Sequence, residues 1–140
     1  MHLSRFESIS VGDGISMEKT VTSAMVQLFA DFTGDYNPVH MDDEYCRSRG
    51  LGSRSVHGLL TASFISGIIG MQFPGEGSIC LSHKIDFITP VRVGDTIRIS
   101  GRVVDKNNEN ALKLNILTLK FEIRTHEGVL AVKCTSKVSV

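Results

Sequence analysis

The sequence predicts one α+β domain in which a curved antiparallel sheet wraps a long central helix. Three observations carry this prediction. Helical periodicity dominates the first half of the chain and period-two alternation the second. A long uncharged apolar stretch, from about Ser55 to Phe73, separates the two halves. The strand-like segments are joined by short polar turns, which makes hairpins and therefore antiparallel pairing. With 140 residues and no internal repeat, linker or low-complexity run, residues 1–140 read as a single domain.

The elements follow in order. Ile15 to Val21 alternates weakly, as a strand does, and Thr22 or Ser23 then caps a helix with apolar positions at Met25, Val26, Phe29 and Phe32. Gly34 is its stop. A second, short helix is marked by Asp42, Asp43 and Glu44 at its start and by Arg47 and Arg49 near its end, charges that suit the helix dipole, with Gly50 beyond. The long stretch holds Leu59, Leu60, Phe64, Ile65, Ile68 and Ile69 among small residues, so it is expected to be buried nearly all round, until Pro74-Gly75 ends it. After Gly77, the residues Ile79, Leu81, His83, Ile85 and Phe87 are expected to point one way along a strand. Three further strands are expected at Thr96–Asp105, Ala111–Thr125 and Val129–Val138. In the second of these three, the apolar phase slips between Ile116 and Leu117, which predicts a bulge or bend there.

Composition excludes several function classes. Fifteen basic and fifteen acidic residues cancel, against the electrostatic footprint that nucleic-acid or anionic-membrane binding requires. Gly58 to Gly75 carries no formal charge, but it is short for a membrane span and includes Gln72 and Pro74, so it reads as a buried helix. Cys46, Cys80 and Cys134 are scattered and odd in number, which predicts neither a disulfide framework nor a zinc site and fits a reducing compartment. The first residues show neither a signal peptide nor a transit peptide, and the protein is expected in the cytoplasm.

The chemistry concentrates in Asp35-Tyr36-Asn37-Pro38-Val39-His40. On a continuous helix Asp35 and His40 would sit about 140° apart and could not share a small ligand. Pro38 removes a backbone donor and pushes Asn37 toward an extended conformation, so a fixed loop able to aim both side chains at one spot is expected, with the Asn37 amide bracing it. Spacing by itself favours the plainer reading, a polar turn carrying an incidental histidine. Ser55 and His57 lack the Gly-x-Ser-x-Gly elbow of a hydrolytic nucleophile. His83 reads as a satisfied inward sheet histidine, His2 and His126 as terminal and turn residues, and Asp31 as part of its helix's polar side. Arg54, Lys84 and Arg92 are conceivable phosphate donors that read better as solvated surface.

Five blocks together shift the weight. They are Phe29-Ala30-Asp31-Phe32-Thr33-Gly34-Asp35-Tyr36-Asn37-Pro38-Val39-His40, Val56-His57-Gly58-Leu59-Leu60, Ser66-Gly67, Phe73-Pro74-Gly75-Glu76-Gly77-Ser78 and Pro90-Val91-Arg92-Val93-Gly94-Asp95. Over about the first two thirds of its length, the chain resembles the MaoC-like (R)-specific enoyl-CoA hydratases of the hot-dog fold. The resemblance implies reversible hydration of trans-2-enoyl-CoA or enoyl-carrier-protein thioesters, in fatty acid metabolism, with Asp35 and His40 as the catalytic acid/base pair. It implies that the Gly58 backbone amide is the oxyanion donor at the start of the long helix, and that Asn37, Ser66 and His57 brace or line the site. Such chemistry asks for a mostly apolar pocket around a poorly solvated Asp35. No metal and no cofactor beyond the CoA or carrier-protein thioester is expected, and a homodimer or higher homo-oligomer is. A hot-dog acyl-CoA thioesterase and a non-catalytic acyl-thioester-binding module are the alternatives.

Overall fold

The computed structural model describes residues 4–140. His2 therefore lies outside the described residues. The chain runs α1 (Arg5–Ser8), β1 (Gly14–Thr20), α2 (Ser23–Thr33), α3 (Pro38–Met41), α4 (Asp43–Ser48), α5 (Gly58–Met71), β2 (Ile79–Phe87), β3 (Thr96–Glu109), β4 (Leu114–Arg124) and β5 (Leu130–Ser139). The five strands form one antiparallel sheet in the order β1-β3-β4-β5-β2. Helix α5 lies against β2 and β5, which gives the expected hot-dog arrangement of one long helix on a sheet.

The local signals act where they are expected. The Thr22 hydroxyl accepts from the Met25 amide at the start of α2, and Gly34, in the left-handed region at φ 78°, closes it with its amide on the Ala30 carbonyl. Asp42 caps α4 through the Tyr45 amide. The core forms between α5, through Ile65, Ile68 and Ile69, and alternate sheet residues such as Ile97, Ile99, Val103, Leu117, Leu119, Phe121, Ile123, Val132 and Val138. Among the described residues, no helix is long and apolar enough to cross a membrane.

Four expectations are corrected. First, α5 is not buried all round: Leu60, Thr61, Ala62, Ile65, Ile68 and Ile69 are covered, whereas Leu59, Ser63, Ser66, Gly67 and Met71 face outward. Small residues let a helix be uncharged without committing every face to the core. Second, the β2 phase breaks at Leu81, where the register with β5 shifts, so Cys80 shares the phase of His83, Ile85 and Phe87 while Ile79 does not. Third, the bulge near the slip in β4 lies in its partner: Val103 pairs with Leu119 and Asp105 with Thr118, leaving Val104 as the extra residue of β3. Fourth, β3, expected to end at Asp105, continues to Glu109, and the reversal comes after it. Helix α1 has no counterpart in the sequence reading. It is held by a Ser4–Glu7 capping box and by the Lys106 ammonium, which donates to the Phe6 and Ile9 carbonyls.

Candidate active site

The segment between α2 and α4 is built from two successive side-chain turns. Past Gly34, Asp35 Oδ1 accepts from the Asn37 amide at 3.2 Å, and Asn37 Oδ1 accepts from the Val39 amide at 3.2 Å. Asn37 thereby caps α3, whose first residue is Pro38, a position where the missing N–H costs no helical bond. The expected loop is thus half loop and half helix, a correction to the sequence reading. His40 sits on a single helical turn and Asp35 on the loop before it, and Asn37 braces the join without lining the cavity.

A second segment, 53–57, meets this one. It is laced to the Pro90–Asp95 block: the Val56 amide donates to the Val91 carbonyl at 2.7 Å and the Arg92 guanidinium to the Ser53 carbonyl at 2.7 Å. Gly94, at φ 96°, and Asp95 close that block onto Val21. So held, the Ser55 carbonyl accepts a hydrogen bond from His40 Nδ1 at 2.7 Å. A carbonyl only accepts, which places the proton of neutral His40 on Nδ1 and leaves Nε2 with a free lone pair. The same logic applies to His57, whose Nε2–H donates to the Asp35 backbone carbonyl at 2.9 Å. His57 is 2% exposed, its Nδ1 is buried without a partner among the described residues, and its ring makes tilted contacts with Phe29 and His40 at centroid distances of 4.8 and 4.0 Å.

One atom each of Asp35, His40 and His57 lie within 4.8 Å of one another. Two hydrogen bonds of about 2.8 Å span such a gap, so it has the size to hold one water-sized ligand between carboxylate and imidazole. The trio also has the composition of a metal site. Ligation through His57 Nε2 would break its bond to the Asp35 carbonyl, and Nδ1 is sealed in the core, so only Asp35 and His40 are placed to act on a ligand.

These groups open into a cavity of about 480 Å³ lined by Phe29, Ser55, Val56, Gly58, Leu59, Thr61, Phe87 and Val132 as well as the three polar residues. Gly58 is the first residue of α5. The N-cap His57 makes no capping hydrogen bond, so no side chain caps the positive end of this fourteen-residue helix, where Gly58 and Leu59 line the cavity. A Cβ on Gly58 would sit 2.8 Å from Cε1 of Phe87, which explains glycine there: the ring packs directly on the helix start.

Not every predicted site residue converges. Ser66 lies two turns along α5, faces outward and does not line the cavity. Asp35 is half-exposed on this chain, rather than poorly solvated. Asp31 accepts from Gln27 and Tyr36 on the polar side of α2, as expected, and the Tyr36 hydroxyl is consequently held above its ordinary range by the neighbouring carboxylate. Arg54 is engaged by Asp43 and the His40 carbonyl, and Arg92 by Ser53, so both stitch loops together. His83 is on the inner face of the sheet and is satisfied by Ser136, as expected, though it keeps an exposed surface. The reading missed Thr61, Phe87 and the Ser55 carbonyl. For Phe87 the signal was its inward phase on a strand, and for Ser55 its place just before Val56-His57-Gly58.

Comparison with known proteins bears on the family and the fold. The (R)-specific enoyl-CoA hydratase of Aeromonas caviae is 36% identical over 126 residues, covering 90% of this chain and 91% of that protein. The (R)-specific enoyl-CoA hydratase of Rhodospirillum rubrum is 36% identical over 105 residues, covering 72% of this chain and 73% of its own. The solved structure of the (R)-hydratase from A. caviae involved in PHA biosynthesis superposes with a TM-score of 0.90 at 34% identity, over 96% of this chain and 98% of that one. The profile of the MaoC like domain matches residues 10–122, which contain the Asp35–His40 segment, the start of α5 and the Pro90–Asp95 clamp, and the chain belongs to that family.

Proposed function

We propose that this chain catalyses the reversible addition of water to trans-2-enoyl thioesters, forming (R)-3-hydroxyacyl thioesters, with acyl-CoA or acyl-carrier-protein thioesters as substrates. The observation that carries the reading is the convergence of a free His40 Nε2, the Asp35 carboxylate and the amides opening α5 on one largely apolar cavity. Family relatives named as (R)-specific enoyl-CoA hydratases support it.

In this reading the water sits between Asp35 and His40. Asp35 accepts one of its hydrogens in a hydrogen bond and orients the oxygen toward the β-carbon. His40 Nε2 takes the other proton as the C–O bond forms, and the π electrons of the alkene move toward the thioester carbonyl. The Gly58 N–H, aimed by the helix, receives the developing enolate oxygen. The imidazolium then returns its proton to the α-carbon from the same face, so addition is syn and the atoms balance. Asn37 and His57 position the pair. Ser66 has no role on its own chain. The chemistry is complete without a metal or a further cofactor.

The catalytic unit is a homodimer in the cytoplasm. Support for the dimer comes from β2, an open sheet edge with Ile79, Leu81 and Ile88 exposed, beside the uncovered Met71 of α5. Support for the compartment comes from three free thiols.

The test follows loss of enoyl absorbance on a panel of CoA and carrier-protein thioesters. Asp35→Asn and His40→Ala are each expected to lower kcat about a hundredfold or more with the thiol retained on the product. Near-normal turnover in either variant, or release of free thiol, overturns the assignment. Light scattering is expected to give a dimer; a fully active monomer at assay concentration would sink that part.

A further inference from the structure

The sheet face that walls the catalytic cavity continues past it, and its chemistry changes at a defined distance. Phe87 pairs with Val132, and both line the cavity. On the same face, going away from the site, the next pair is Ile85 with Cys134 and the one after is His83 with Ser136. The first of these is apolar in effect, since Cys134 is buried and burial pushes its thiol up, keeping it protonated. The second is polar. His83 Nδ1 lies 2.7 Å from Ser136 Oγ, and Ser136 itself is fully buried. On the other side of the ring, His83 Nε2 has the Cys80 thiol at 3.2 Å, a weak partner for an imidazole nitrogen, and the ring remains exposed.

Val56 and Val91 lie buried on the core side of the cavity, while Leu59 and Phe87, which also line it, are more than half exposed beside the strip between α5 and β2. We propose that the His83–Ser136 pair, with Cys80 behind it, is a polar stop in the acyl groove that sets an upper limit on chain length. This rests on the hydratase reading. The distance follows from the register. The Phe87 ring packs on Gly58, where the thioester oxygen is received, so the first acyl carbon lies level with Phe87. At about 3.4 Å per residue, the Ile85 pair is about 7 Å further and the His83 pair about 14 Å. With C–C bonds of about 1.5 Å, an extended chain advances about 1.3 Å per carbon, which brings the tail to Ile85 near the sixth carbon and to His83 near the eleventh or twelfth. A methyl-ended tail of that length covers the imidazole and its weakly partnered nitrogen, removing their water and giving no hydrogen bond in return. Tails of up to about eight carbons stay on apolar wall.

The experiment measures kcat/KM for enoyl-CoA substrates of four, eight and twelve carbons on the wild type and on His83→Leu/Ser136→Ala. The wild type is expected to fall about tenfold or more from eight to twelve carbons. The double variant is expected to recover at least fivefold on twelve carbons, with the four-carbon rate unchanged. Equal wild-type rates at eight and twelve carbons overturn the polar stop, as does a double variant whose eight-to-twelve ratio matches the wild type. Should the double variant fail to fold, His83→Leu alone, with binding of saturated eight- and twelve-carbon acyl-CoA to the wild type by calorimetry, decides the same question: equal affinities for the two chains refute it. Absence of turnover on every chain length would instead refute the hydratase reading.

Discussion

Replacing Gly58 by alanine separates the position of the helix amide from its presence. The substitution keeps the N–H and adds one methyl. Built on the existing backbone, that methyl lies 2.8, 2.9 and 3.1 Å from Cε1, Cδ1 and Cζ of Phe87. Carbon atoms rest about 3.5–4.0 Å apart, so the ring must withdraw by roughly 0.5–1 Å. The helix start yields less readily, because the Thr61 amide already bonds the His57 carbonyl and segment 54–56 is tied to 91–93. Phe87, 53% exposed on an edge strand, is the side that gives. Its shift removes the wall against which the thioester is set. Overpacking of this kind costs about 1–3 kcal/mol, and a factor of ten per 1.4 kcal/mol turns that into a fall in kcat/KM of about five- to a hundredfold. The assay is enoyl absorbance with a four-carbon substrate, accompanied by a thermal melt to confirm folding. Phe87→Leu placed in the same chain relieves the contact and is expected to recover part of the loss. Full activity in Gly58→Ala, or no recovery in the double variant, refutes the argument.

Two further substitutions test supporting contacts. His57→Leu removes the donor to the Asp35 carbonyl and is expected to lower kcat far more than it raises KM, while His57→Gln, whose amide nitrogen reaches the same place, retains most activity; indistinguishable Leu and Gln variants would show that the hydrogen bond is immaterial. Lys106→Met strips the carbonyls of Phe6 and Ile9 of their shared donor and is expected to cost about 1–3 kcal/mol in denaturant unfolding with kcat intact, and an unchanged midpoint would dismiss the tie.

The pieces legible in the sequence are those whose causes are local. Thr22, Gly34, Asp42 and Pro38 act on amides and dihedrals within four residues, so their effects survive whatever the rest of the chain does. The alternating Leu117, Leu119, Phe121 and Ile123 of β4 form its buried face, because burying one face of a strand tolerates no slip by one residue. In β2 the same logic misled: Leu81 is an extra residue in an edge strand, where one side has no neighbour to enforce the phase.

The catalytic pair stands differently. Asp35 and His40 were named from motif resemblance, since spacing alone fits an ordinary polar turn. Composition and local pattern by themselves determined the α+β class, the central helix, and the caps of α2 and α4. Only the tertiary structure decided the tautomer of His40, through a carbonyl fifteen residues away. It also decided that His57 is sealed behind Asp35, that Phe87 from β2 meets Gly58 from α5, and that Ser66 turns away from the cavity. The reason is physical. Caps and turns are set by bonds within a few residues, whereas these contacts join segments whose relative placement is the sum of many weak packing terms across the whole sheet.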